Sequence, residues 1–277
     1  MTIVGAFILP HGAMILDPKV KDLPKEAIEL HKAMLKAAEQ IAKLKPDIIF
    51  MTSPHGIALS EEYGIYVNRG GNGTAEWDGS YQNYKVKVEF NQDLAIELYN
   101  YLLDKETNVS KIATFTSGVE APFRWGEAVP LWFIRDIKNV QFIYMSQPLK
   151  RLENPEELIP ETITLGNDLR IFFDKLDKRV VIITSADLAH THLKSGPYGF
   201  NELAEPFDQL MEEWASNLNR NILLKKAVPL LEDALCCGFI GFVILQGLLE
   251  KLNFKPQVVH RATPTYYGMM ISSYIKE

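Results

Sequence analysis

The chain carries only two cysteines among 277 residues, and they are neighbours, Cys236 and Cys237. Vicinal cysteines rarely bridge, so the fold is expected to form without disulfides in a reducing, cytoplasmic compartment. A basic stripe is also missing. The 29 Lys and Arg are interspersed among 35 Asp and Glu, for a net charge of −6. Nothing in that pattern tracks phosphates, which argues against a nucleic-acid partner. No apolar run reaches the length of a membrane span; "CCGFIGFVILQGLL" is the longest and ends at Glu250 and Lys251. The opening "MTIVGAFILPHG" has neither a basic n-region nor a small-residue cleavage site, and reads as a first strand. Internal repeats, low-complexity tracts and a clear linker are absent too. One glycine-rich stretch, "NRGGNGTAEWDGS" (68–80), lacks GxGxxG spacing and a following helix, so it reads as a loop rather than a nucleotide cradle.

What is present is a 47% hydrophobic chain, enough to bury a full core, in which strand-like and helix-like runs alternate. "TIVGAFIL", "DIIFMTSP", "VQFIYMSQ" and "RVVIITSADLAH" read as buried strands. "PKEAIELHKAMLKAAEQIAKLK" places Ile28, Leu35, Ala38 and Ile41 roughly on one face of a helix, with lysines opposite. "QDLAIELYNYLLDK", "LGNDLRIFFDKL", "FDQLMEEWASNLNRNILL" and "CGFIGFVILQGLLEKL" supply further helices, and "QVVHRA" and "YGMMISSYI" a last pair of strands. "YKVKVEF" alternates strictly, as a half-exposed antiparallel strand does. The pattern predicts one α/β domain over 1–277, a mixed central β-sheet flanked by helices on both faces.

Two of the buried strands end in the same way, "ILPHG" at His11 and "TSPHG" at His55, and a third ends in "SADLAHTH". Proline keeps the preceding residue extended and glycine permits a sharp turn, so each imidazole is presented at a strand's mouth. Ligands of α/β sheets gather at the C-terminal strand ends. Two neutral imidazoles converging there suit a divalent transition metal, the alternative being loop histidines hydrogen-bonded to backbone.

"ILPHGAMILDP", "TSPHG" and "SADLAHTHLKSGPYGF" followed by "EPFD" resemble the class III extradiol ring-cleavage dioxygenases, whose fold is shared by Memo-type proteins. The motifs are short but occur in the family's order over nearly the whole chain. The resemblance implies a cytosolic metal-dependent dioxygenase-like protein acting on a small catecholic or related aromatic substrate with dioxygen, expected to assemble as a homo-oligomer. It implies an iron(II) site with His11 and His55 as ligands, and His190 as acid and base beside the metal. A histidine of near-neutral pKa can take a phenolic proton and return it. His192 points the other way in an extended loop and is expected to brace it or to face solvent. Asp187 either orients His190 or braces the turn. "GPYGF" (196–200) looks like a lid, with Tyr198 a substrate contact.

The sequence departs from the family's pattern in two places. The carboxylate ligand belongs in an "ECG" motif, and here the motif reads "CCG", so Cys236 stands in the ligand position. A thiolate shifts the metal preference toward zinc or copper. Glu232, one helical turn earlier, is an alternative ligand, and both cysteines also suit a core. Where the family has "DHG" before "VPL", this chain has Arg124, Trp125 and Gly126, then Glu127. Trp125 accepts no hydrogen bond. Arg124 is placed to meet an anionic substrate or Glu127. His31 reads as a surface residue, and His260 has no ligand motif around it. The alternative function is a non-oxygenase metal- or ligand-binding protein of the same fold with a regulatory role.

Overall fold

The uniformly apolar runs are strands sandwiched between two layers. A computed structural model describes residues 2–276. The strands are β1 (Ile3–Leu9), β2 (Ile48–Ser53), β3 (Tyr63–Tyr66), β4 (Gly70–Thr74), β5 (Lys85–Glu89), β6 (Val109–Ile112), β7 (Glu120–Phe123), β8 (Gln141–Ser146), β9 (Val180–Ser185), β10 (Phe254–Ala262) and β11 (Met269–Lys276). The helices are α1 (Lys25–Lys43), α2 (Gln92–Asp104), α3 (Trp125–Ile134), α4 (Ile159–Phe173), α5 (Ala204–Asn217), the single turn α6 (Leu231–Ala234) and α7 (Phe239–Leu249). The central sheet runs β10-β11-β1-β9-β2-β8-β3-β6. β1, β9, β2 and β8 are parallel, whereas β11 on one side and β3 on the other pair antiparallel. This is the mixed α/β sheet that the alternation of runs predicts.

Successive residues of a strand face opposite sides of the sheet, so an all-apolar strand serves two cores at once. Ile8, Phe50 and Ile182 join one core, packed by α2, α4, α5 and α7. Phe7, Leu9, Ile49, Met51 and Ile183 join the other, under α1 and α3. Every residue of α7 is buried, which explains why it is apolar all round. Among the described residues, no helix is long and apolar enough to cross a membrane.

Two segments differ from the sequence-based expectation. "YKVKVEF" is antiparallel as predicted, but it pairs in a separate three-stranded sheet, β5-β4-β7, packed with the second core. Its central strand, β4, falls inside the glycine-rich stretch expected to be a loop. The glycines are there for contact: a Cβ on Gly71 would lie 2.1 Å from the Phe123 ring, and one on Gly73 2.0 Å from the Phe123 carbonyl oxygen. The rest of the stretch turns back and carries Trp77, a residue of the site described next.

Candidate metal centre and active site

β1, β9 and β2 lie side by side and parallel, with Leu9 opposite Ser185 and Thr52 opposite Thr184. Their C-terminal ends therefore finish at one level on one edge of the sheet. Pro10-His11-Gly12 leaves β1 there, Pro54-His55-Gly56 leaves β2, and the loop bearing Asp187 and His190 leaves β9. β11 is antiparallel to β1, so its beginning arrives at the same edge and brings Thr265, Tyr266 and Tyr267. The His11 and His55 rings meet edge to face with centroids 4.7 Å apart. Donor atoms of His11, His55 and Cys237 all lie within 4.8 Å of one another, and the Cys237 thiol is 3.5 Å from His11 Nε2.

The structure separates the two cysteines. Cys236, the expected ligand, is not in this cluster; Cys237 is. Leu235 adopts a left-handed backbone (φ 52°) just after α6, and the two cysteines sit in the turn before α7 rather than on that helix. Both thiols approach the Asp187 carbonyl, Cys236 at 3.4 Å and Cys237 at 3.7 Å, but only Cys237 also reaches His11. Cys236 packs against the core under α7, with its thiol directed at the Asp187 carbonyl at 3.4 Å. Glu232 is exposed and also stands apart from the cluster.

A chain of contacts fixes which nitrogen of His11 carries the proton. Pro130 sits inside α3 and has no N–H to give the carbonyl four residues back, that of Gly126. The Ser185 hydroxyl donates to that carbonyl at 2.6 Å. Having spent its only proton, Ser185 Oγ accepts from His11 Nδ1 at 2.9 Å. The Nδ1–H tautomer follows, and Nε2 keeps its lone pair facing Cys237. Gly126 also lets α3 begin against the site, because a Cβ there would meet His55 Cβ at 2.6 Å.

Burial keeps all three imidazoles neutral. It holds His11 well below the ordinary range, with His55 and His190 adding mutual repulsion. It holds His55 at about 3, reinforced by the Arg151 guanidinium and His190. It holds His190 at about 4, although the Leu188 and Leu235 carbonyls favour the charged form. His190 Nδ1 is 2.9 Å from the Leu188 carbonyl and donates to it, and the ring stacks on Tyr267 with centroids 5.4 Å apart. Asp187 serves His11 rather than His190: its Oδ1 accepts the His11 backbone N–H at 3.0 Å, and its Oδ2 lies 3.3 Å from Nε2. Burial pushes that carboxyl up to about 8, against bonds from the His11 and Gly12 N–H groups. Burial, with Asp187 nearby, also pushes the Cys237 thiol well up. A coordinated thiol loses its proton outright, so a bound cation would reverse that preference.

The sequence profile of the catalytic LigB subunit of aromatic ring-opening dioxygenase matches residues 5–274. The chain belongs to the LigB family. Protein CA_C1420 of Clostridium acetobutylicum is 24% identical over 274 residues, 94% of this chain, and the chain spans 54% of that protein's length. The crystal structure of uncharacterized protein JW3007 from Escherichia coli K12 superposes with a TM-score of 0.59 at 14% identity, covering 98% of this chain and 99% of that one. The last comparison speaks for the fold alone.

Within this LigB-family chain, the remaining residues singled out from the sequence fall into two groups. Tyr198 lines the cavity over the strand ends and is largely exposed. Arg124 does not line it; its guanidinium lies 4.8 Å from the Trp125 ring, and Glu127 accepts its backbone N–H at 3.0 Å rather than its charge. Glu127 itself is buried and also takes the Tyr144 hydroxyl at 2.6 Å. His192 bonds Asp208 at 2.9 Å, the loop-bracing role expected of it. His31, expected at the surface, is half-buried, with its ring bonded to the Ile15 carbonyl at 2.7 Å. His260 stands outside the site, 3.9 Å from Glu29. Sequence reasoning missed Trp77, Tyr266 and Tyr267 as wall residues. No local motif marks them, because they converge from segments far apart in the chain.

Proposed function

We propose that this protein holds one divalent metal ion through His11 Nε2, His55 and the Cys237 thiolate, and opens the ring of a catechol-type substrate with dioxygen. The observation that carries the reading is the cluster itself: two imidazoles at the mouths of β1 and β2, which flank β9, and a thiol from the turn before α7, all within 4.8 Å of one another, in a chain of the LigB family. The donor set fits a borderline-soft cation. Iron(II) follows from the family, while the thiolate also suits zinc or copper. Held by these three residues, such an ion would supply a Lewis-acid and redox centre for the catechol and dioxygen. The chain's own residues do the rest. His190, neutral and tethered through Nδ1–H to the Leu188 carbonyl, keeps Nε2 as the base for a phenolic proton. Tyr267 stacks on the face of that ring, and Tyr198 stands edge to face with it at 6.1 Å between centroids, at the exposed rim of the cavity.

Two observations support a second reading, a metal- or ligand-binding protein without oxygenase activity. A thiol stands where the family's carboxylate is expected, and Trp125, 5.3 Å from His55 between ring centroids, stands where a proton-exchanging histidine is expected. Elemental analysis of protein purified without chelators, followed by oxygen uptake on anaerobically iron(II)-loaded protein with a panel of catechols, separates the two. One metal per chain and catechol-dependent uptake are expected. Metal without uptake for any catechol would favour the second reading, and no metal would remove the dioxygenase reading and leave only the ligand-binding form of the second.

The Ser185 contact makes a quantitative prediction. Loss of a group that orients a ligating histidine costs about 10- to 100-fold in metal affinity. Ser185→Ala is expected to fall in that range by competition with a chromophoric chelator, and the nitrogen chemical shifts of His11 should show a mixture of tautomers. Unchanged affinity and an unchanged Nδ1–H tautomer would mean that Ser185 does not set the ring.

A further inference from the structure

Above the His11 and His55 edge lies a cavity of about 250 Å³. Its wall is aromatic, made mainly by Trp77, Tyr81, Trp125, Tyr198, Tyr266 and Tyr267. Trp77 and Trp125 pair edge to face on one side, with centroids 4.6 Å apart, and Tyr198 and Tyr266 pair on the other at 6.1 Å. Among the described residues no Lys or Arg lines it. The nearby cations are committed elsewhere. Arg124 is exposed and lies over Trp125. Arg151 is only 9% exposed and is absent from the wall, and its guanidinium is bonded to the Pro54 and Pro148 carbonyls. The one acid in the wall, Asp187, is turned onto His11.

A carboxylate entering this space would lose its water and find no cationic side chain in the wall to pair with, which is costly. The Arg151 charge is felt at His55 and Cys237, but its guanidinium is held by the Pro54 and Pro148 carbonyls. Aromatic faces carry negative potential, so they repel an anionic substituent and attract a cationic one. Pockets for drug-sized ligands measure roughly 300–1,000 Å³, so a smaller cavity suits a single ring. We propose that the site selects a single aromatic ring whose substituent is uncharged or cationic and discriminates against rings bearing a carboxylate, with Trp77 the determinant at the mouth. This rests on the reading of the cavity as the substrate site. Trp77 suits the role because it is half-exposed on the turn after β4, lines the cavity and is held there by its edge-to-face contact with Trp125.

The test is binding rather than turnover, on chelator-treated protein so that chelation of a metal adds nothing. Quenching of tryptophan fluorescence and calorimetry would be followed with 4-methylcatechol, 4-(2-aminoethyl)catechol and 3,4-dihydroxybenzoate. The first two are expected to bind roughly tenfold or more tightly than the carboxylate, the scale of one cation–π or lost-solvation contact. Trp77→Ala should weaken the first two several-fold and narrow that ratio, while Arg124→Gln should leave the ranking as it is. Equal or tighter binding of 3,4-dihydroxybenzoate overturns the proposal, and so does a carboxylate preference that disappears in Arg124→Gln. Absence of binding by all three also overturns it, even if the metal is present in full. The expected ranking in a protein that takes up no metal would sustain the charge selection and sink the dioxygenase reading instead.

Discussion

Cys237→Ser is expected to lose the metal and Cys236→Ser to keep it. The two residues are adjacent, of the same type and equally placed in a "CCG" motif, yet only the Cys237 thiol is 3.5 Å from His11 Nε2 and within reach of His55. Serine at 237 offers a hydroxyl that gives up its proton far less readily than a thiol, and it is a harder donor than a borderline-soft ion prefers. The affinity should fall by more than about a hundredfold, beyond what loss of an orienting group costs. Cobalt(II) substitution reads the ligand directly, since thiolate coordination produces an intense near-ultraviolet charge-transfer band. The band should be present in wild type and in Cys236→Ser and absent in Cys237→Ser. Cys236→Ser should instead lower the thermal midpoint, because a hydroxyl replaces a packed sulfur beside the Asp187 carbonyl and the core under α7. A band that survives Cys237→Ser would remove the proposed third ligand.

The choice between the two cysteines also marks where the sequence stops being readable. β1, β2 and β9 announce themselves, because a parallel strand buried on both faces must be apolar at every position, and the Pro-His-Gly corners follow directly from it. α1 is equally plain as a helix, although its buried stripe is Ala27, Leu30, Met34, Ala37 and Ile41. Of the face read from the sequence only Ile41 is fully buried, while Leu35 is exposed. Which cysteine faces the site depends instead on the left-handed backbone of Leu235, a single dihedral choice that residue type does not dictate. α3 is obscured by Pro130, an apparent helix breaker. Its missing N–H is put to use, leaving the Gly126 carbonyl for Ser185 and so fixing His11. β4 is hidden for a related reason. Gly71 and Gly73 have poor strand propensity and are there because Phe123 leaves no room for a Cβ. In each case a tertiary contact overrides the local signal. The aromatic wall has no local signal at all, since Trp77, Trp125, Tyr198 and Tyr266 lie in four separate segments.

His190→Ala is expected to lower turnover by about two to four orders of magnitude, the usual worth of general acid–base help, while leaving metal content nearly unchanged. His190 stands beside the cluster rather than in it: His11, His55 and Cys237 form the donor group, and His190 lines the cavity, stacked on Tyr267. Its bond to the Leu188 carbonyl holds the ring, so Nε2 is aimed without help from a metal. His192, two residues on, offers the control. Its ring bonds the fully buried Asp208, which also accepts the Ala189 N–H at 2.9 Å and so shapes the loop that carries His190. His192→Ala leaves that carboxyl short of a partner, a loss of about 1–3 kcal/mol of stability, and turnover should change only slightly at temperatures where the protein stays folded. The measurements are oxygen uptake with the best catechol, metal per chain by elemental analysis, and thermal midpoints for both variants. A His190→Ala protein that has lost its metal would make His190 a ligand. Turnover abolished in His192→Ala but retained in His190→Ala would assign the proton transfer to the other histidine.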